Sequence, residues 1–132
     1  MDRAEKALEL RRKGYNCAQS VVCAFSDAVD VEEEVLFKIA EGFGTGMGGM
    51  QHTCGAVIGA VMLNGLLNSS GKTNNGSLAK TLGVSRQLTQ AFQERSGSTV
   101  CKELKGTETG KMLCSCNDCI VEATKLVEEM LI

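Results

Sequence analysis

Seven cysteines are placed along a chain of 132 residues, at Cys17, Cys23, Cys54, Cys101, Cys114, Cys116 and Cys119. Thiolate sulfur is the side-chain chemistry best suited both to thiol–disulfide exchange and to soft-metal coordination. In a reducing compartment lasting disulfides are rare, so this enrichment points to redox or metal chemistry, and an odd count fits a closed disulfide framework poorly. The positions matter more than the number. Cys17 follows Asn16 at the start of an expected helix, and Cys54 follows Thr53 at the start of another. Cys101 follows Ser98-Thr99, and Cys119 falls in the first turn of the last expected helix. Free N–H groups and the positive end of the helix dipole favour thiolate at each of these places. Cys17, Cys54, Cys101 and Cys119 are therefore the candidate redox residues, and Cys23, in mid-helix, reads as core. Cys114-Ser115-Cys116-Asn117-Asp118-Cys119 is dense enough to add ligands, so the alternative metal set is Cys17, Cys54, Cys101, Cys114, Cys116 and Cys119.

The elements that must position these thiols read as helices throughout. There is no Pro, and apolar residues recur at helical rather than alternating spacing. The expected fold is all-α, a compact orthogonal bundle of five to six helices forming one domain over residues 1–132, around a buried central helix at about 54–67. That helix is apolar nearly all round. Its small residues Gly55, Ala56, Gly59 and Ala60 form stripes that let another backbone, or a cofactor, approach closely at Gly55 and Gly59. Before it, Gly42 to Gly49 must be a loop, since each glycine weakens a helix by about 1 kcal/mol relative to Ala. Flanking helices are expected to turn Ala4, Ala7, Leu8 and Arg11 to one face. Val35, Leu36, Ile39, Ala40 and Phe43 recur at helical spacing, Leu78, Leu82, Leu88 and Phe92 are expected to face in, and Ile120, Ala123, Leu126, Val127 and Met130 form the apolar face of the last helix.

Other matches carry less. Gly44-Thr45-Gly46-Met47-Gly48-Gly49 fits G-x-G-x-x-G. It follows a helix rather than a strand, and Ser69-Ser70 stand where an acidic residue belongs, so no dinucleotide site is expected. Asn68-Ser69-Ser70 and Asn75-Gly76-Ser77 match glycosylation sequons that a cytosolic chain leaves idle. Cys116-Asn117-Asp118-Cys119 is followed by Ile120, not His, so covalent haem is not expected. His52, the one histidine, reads as an exposed loop residue two positions before Cys54.

A net charge of -2 and an aromatic content of 4% with no Trp leave neither a basic field nor stacking platforms for nucleic acid. The longest apolar run, Ala56 to Leu63, is too short for a bilayer, which takes roughly 20 residues. The first residues, Met1-Asp2-Arg3-Ala4-Glu5-Lys6, lack a signal-peptide core. The expectation is a cytoplasmic chain with no membrane or nucleic-acid partner and an unidentified redox partner. A homodimer covering the central helix remains open.

One stretch makes the reading more specific. Cys54-Gly55-Ala56-Val57-Ile58-Gly59 resembles the C-G-A-x-x-G signature of a family described as redox-active and named for its cysteine pattern, C_GCAxxG_C_C. Gly14-Tyr15-Asn16-Cys17-Ala18-Gln19-Ser20-Val21 and the glycine-rich loop before Cys54 are similar to its other motifs. The resemblance implies that the family's characteristic cysteines fall on Cys17, Cys54, Cys101 and Cys119. Cys114 and Cys116 depart from the simple pattern. A related domain in split-Soret cytochromes implies an electron-transfer setting. Two chemistries stay open for the same residues: dithiol/disulfide exchange, possible as an enzyme, and a non-enzymatic module holding an iron–sulfur cluster or Zn²⁺.

Overall fold

A computed structural model describes residues 2–73 and 76–132. The sequon at Asn75 lies outside the described residues. Among them are seven α-helices: α1 (Arg3–Arg12), α2 (Cys17–Cys23), α3 (Glu33–Glu41), α4 (Gly55–Asn68), α5 (Leu78–Ser96), α6 (Cys101–Lys105) and α7 (Cys116–Leu131). The all-α expectation holds, with more helices than expected because the short α6 counts as one. One isolated antiparallel bridge, Thr53 to Val100, is present.

The core forms where α2, α4 and α7 meet. Every residue of α2 is buried. Its partner α4 presents small residues to it. A Cβ on Gly59 would stand 3.1 Å from the Ala18 carbonyl oxygen and 3.1 Å from Val21 Cβ. Glycine there lets the two helices approach backbone to backbone, as the small-residue stripe suggests. α4 is not covered all round, however. Leu66 is 42% exposed, because the last turns of the helix run past α2. Asn64, fully buried on α4, donates to the Thr81 carbonyl (2.8 Å) and to Ser85 Oγ (2.9 Å) on α5 and accepts from Asn68 Nδ2. Such bonds are what a buried amide requires.

Those bonds fix the inward face of α5, which continues through Leu88, Phe92 and Ser96. Leu82 falls beside that face and Leu78 sits in the open first turn, so both are exposed, against expectation. On α3, which packs against α2, Leu36 and Ala40 are buried while Val35 and Ile39 are exposed. One neighbouring helix covers a narrower stripe than the apolar pattern offers. On α1 the buried residues are Ala7 and Leu10. No described helix is long and apolar enough to cross a membrane.

Candidate redox site

Cys17 is the first residue of α2, and its position is set by a capping box. Asn16 Oδ1 accepts from the Gln19 backbone N–H, and Gln19 Oε1 accepts from the Asn16 backbone N–H, both at 2.9 Å. The same two side chains reach α3. Asn16 Nδ2 donates to the Glu41 carbonyl at 2.9 Å, and Gln19 Nε2 donates to the Phe37 carbonyl at 3.1 Å. Gly55 makes room for the thiol. A Cβ there would collide with Cys17 Sγ and stand 2.8 Å from the Phe43 carbonyl oxygen.

Cys54 caps the N-terminus of α4, and Cys101 opens α6. A two-sided backbone clasp brings them together. The Cys54 N–H donates to the Thr99 carbonyl at 2.7 Å, and the Cys101 N–H donates to the His52 carbonyl at 2.9 Å. His52 contributes that carbonyl, while its side chain is exposed. The glycine-rich coil closes over this pair with Thr45, Gly46, Met47, Gly48 and Met50 at positive φ. A Cβ on Gly46 would stand 2.5 Å from Cys101 Cβ, so both its backbone angle (φ 55°) and its space call for glycine.

The expected cap of α6 differs in detail. Val100, not Ser98 or Thr99, occupies the capping position. Ser98 Oγ instead accepts from the Val100 N–H and donates to Glu103. The chain then turns back. The Leu104 carbonyl accepts from the N–H groups of both Leu113 (2.8 Å) and Cys114 (3.0 Å), returning the segment 113–116 to the cysteines. Ser115 caps α7 by accepting from the Asp118 N–H at 3.1 Å. Cys116 is thus the first helical residue. Cys119 lies one turn in, with its side chain leaning back towards the helix start, as helical side chains do. Its Sγ lies 3.8 Å from the Cys114 carbonyl oxygen.

The outcome is one small cavity lined by Cys17, Cys54, Cys101, Cys114, Cys116 and Cys119, with Leu104 and Lys105. Six of the seven cysteines meet there. Cys23 does not, and it is fully buried core, as its mid-helix position suggests. The space open to the centre of a water-sized sphere is about 10 Å³, room for a single water. Cys17, Cys54, Cys101 and Cys119 are buried, and Cys114 and Cys116 are partly exposed. Gly55 and Gly59, expected to admit a backbone or a cofactor, both face α2.

The electrostatics separate the thiols. A hydrogen bond from the Cys119 thiol pulls Cys54 down from 9.0 to about 7, against the effect of burial. The N–H groups of Ala56 and Val57 at the start of α4 and the charge of Lys105 assist. Donating that hydrogen bond and being buried both push Cys119 well up. Burial also raises Cys17 and Cys101, despite their places at helix starts. The expectation of four thiolate-favouring positions is therefore corrected to one: at Cys17 and Cys101 burial outweighs what the short helices return, and at Cys119 the interaction with Cys54, then burial, favours the thiol. Cys23 is pushed up to about 11 by burial and by the Glu33 carboxylate.

Lys105 was not singled out by its residue type. Burial works against its charge, but a hydrogen bond to Cys116 and the nearby Cys101 and Cys17 raise its pKa. The available signal was spacing, since Lys105 lies four residues after Cys101 on one short helix and so shares its face. Among the described residues, no three His, Cys, Asp or Glu side chains are grouped closely enough to hold a metal ion.

The sequence pattern of the family described as "Putative redox-active protein (C_GCAxxG_C_C)" matches residues 15–130. Comparisons with curated proteins and with solved structures returned no match.

Proposed function

The chain belongs to the C_GCAxxG_C_C family of redox-active proteins, and from that premise we propose that it is a cytoplasmic thiol oxidoreductase whose redox couple is Cys54 and Cys119. The observation that carries this reading is the meeting of Cys54, at the start of α4, and Cys119, one turn into α7, in the lining of one small cavity, where the influence of Cys119 leaves Cys54 poised near neutrality while Cys119 is pushed well up. An attacking thiol with a pKa near the ambient pH is the most effective in exchange. In the oxidising direction the co-reactant is a disulfide of an unidentified thiol partner. That disulfide gives up its S–S bond and leaves as two thiols, taking two protons and two electrons, and one S–S bond forms between Cys54 and Cys119. Lys105 supports negative charge on the thiolates while exchange proceeds. The same chemistry runs in reverse when the partner is a dithiol.

The reading is tested by equilibrating the protein against defined thiol/disulfide mixtures, alkylating the remaining thiols and mapping the peptides. Two thiols should be lost together as one two-electron couple, with Cys54 linked to Cys119, and either Cys54→Ser or Cys119→Ser should abolish the loss. Independent loss of single thiols, or a link that omits Cys54, would overturn it.

A second reading rests on the meeting of six cysteines at one cavity. Thiolates are the usual donors for Zn²⁺ and iron–sulfur clusters, and Lys105 would offset their charge. The donor set suits such a group, but the space does not. A cavity with room for one water would have to open before a cluster could enter.

A further inference from the structure

The exchange just described leaves Cys114 and Cys116 without a role, yet among the cysteines lining the cavity they are the two that solvent reaches. Cys54 is 6% exposed and Cys119 is 2% exposed. Thiol–disulfide exchange needs a third sulfur in line with the bond being broken. A partner disulfide has no such approach to sulfurs this enclosed. A thiol that touches both the buried pair and the solvent would provide one.

The two outer thiols are not equivalent. Cys114 is tied to the inner pair. Its backbone N–H is held by the Leu104 carbonyl at 3.0 Å, its own carbonyl oxygen lies 3.8 Å from Cys119 Sγ, and its thiol is near enough to push Cys119 up. Cys116 is engaged with Lys105 instead. A thiol row therefore runs from the surface inward, Cys114 to Cys119 to Cys54, and Cys116 stands beside it. Exposed Met112 and Leu113 immediately precede Cys114 in the chain.

We propose that Cys114 is the exchange thiol of this protein, the residue that meets the partner disulfide and passes its oxidising equivalents to the buried couple. The inference rests on the dithiol reading above. With glutathione disulfide as the partner, Cys114 thiolate attacks one sulfur, a Cys114–glutathione mixed disulfide forms and one glutathione thiolate leaves. Cys119 passes its proton to the Cys54 thiolate, and the Cys119 thiolate so formed attacks Cys114 Sγ, forming a Cys114–Cys119 disulfide and expelling the second glutathione as a thiolate, which takes that proton from Cys54. Cys54 thiolate attacks Cys119 Sγ, forming Cys54–Cys119 and releasing Cys114. The protons of Cys54 and Cys119 end on the two glutathione thiols, and Cys114 is regenerated.

The test is a time course with glutathione disulfide, quenched with acid and mapped by mass spectrometry, on wild type, Cys114→Ser and Cys116→Ser. Wild type should carry glutathione first on Cys114 and then accumulate the Cys54–Cys119 link. Cys114→Ser should form that link at least about tenfold more slowly, and Cys116→Ser at close to the wild-type rate. Diamide, a small oxidant that needs no exchange thiol, should oxidise Cys114→Ser as it does wild type, which shows that the inner pair of the variant is intact. Equal rates for wild type and Cys114→Ser with glutathione disulfide, or first modification at Cys116, would overturn the relay while leaving the couple standing. A wild-type chain in which neither reagent links Cys54 to Cys119 would overturn the dithiol reading and the relay with it.

Discussion

Replacing Cys119 with Ala removes the hydrogen bond that contributes most to the low pKa of Cys54. At pH 7, a thiol with a pKa of about 7 is about half ionised, and one returned to 9.0 is about 1% ionised, roughly a fiftyfold loss of thiolate. The more basic thiolate is a better nucleophile. With a Brønsted coefficient of about 0.4–0.5, two pKa units return a factor of about six to ten. The net expectation is alkylation of Cys54 about five to eight times slower at neutral pH. The small cavity left by the Ala side chain also improves access, which multiplies the rate equally at every pH. The decisive quantity is therefore the midpoint of the rate–pH profile for Cys54, followed by peptide mapping with iodoacetamide. It should move from about 7 in wild type up towards 9 in Cys119→Ala. A midpoint that stays near 7 would refute the reasoning and transfer the effect to the α4 amides and Lys105.

Three further outcomes follow from the packing and the charges. Gly59→Leu should destabilise the fold by about 1–3 kcal/mol in chemical denaturation, because α2 already stands against that position, and an unchanged unfolding midpoint would mean the α2–α4 contact is loose. Asn16→Ala removes the cap of α2 and the tie to α3, at a cost of about 1–2 kcal/mol, and a loss below a few tenths would contradict the capping role. For Cys23 the folded pKa is raised, so its contribution to stability is fully present below about 9 and is lost as pH rises through about 11. Unfolding free energies should fall over that window by on the order of 2 kcal/mol more in wild type than in Cys23→Ala, and parallel curves would show that Cys23 titrates alike in the folded and unfolded states.

Much of this site was legible in the chain because local signals wrote it. Asn16 and Gln19 spell out the cap that fixes Cys17, and the apolar, small-residue run after Cys54 announces a helix that packs closely. The convergence of six thiols was not legible. It depends on the clasp between residues 52–54 and 99–101 and on the turn that returns Cys114 to the Leu104 carbonyl, and both are long-range backbone pairings with no periodic signature. The thiolate expectation failed at Cys17 and Cys101 for a related reason. A helix start is visible in sequence, but the burial that opposes its dipole is decided by distant elements. Leu78 and Leu82 went wrong because the buried Asn64 amide, not the leucines, sets which face of α5 turns inward.

The central claim is that Cys54 and Cys119 form the redox couple, and anaerobic purification with metal analysis, a visible spectrum and a thiol count before and after mild oxidation tests it most directly. The account predicts a colourless protein that loses two thiols on oxidation, with Cys54 joined to Cys119 in the mapped peptides. A brown protein with stoichiometric iron, in which Cys54 and Cys119 stay protected from oxidation, would contradict it.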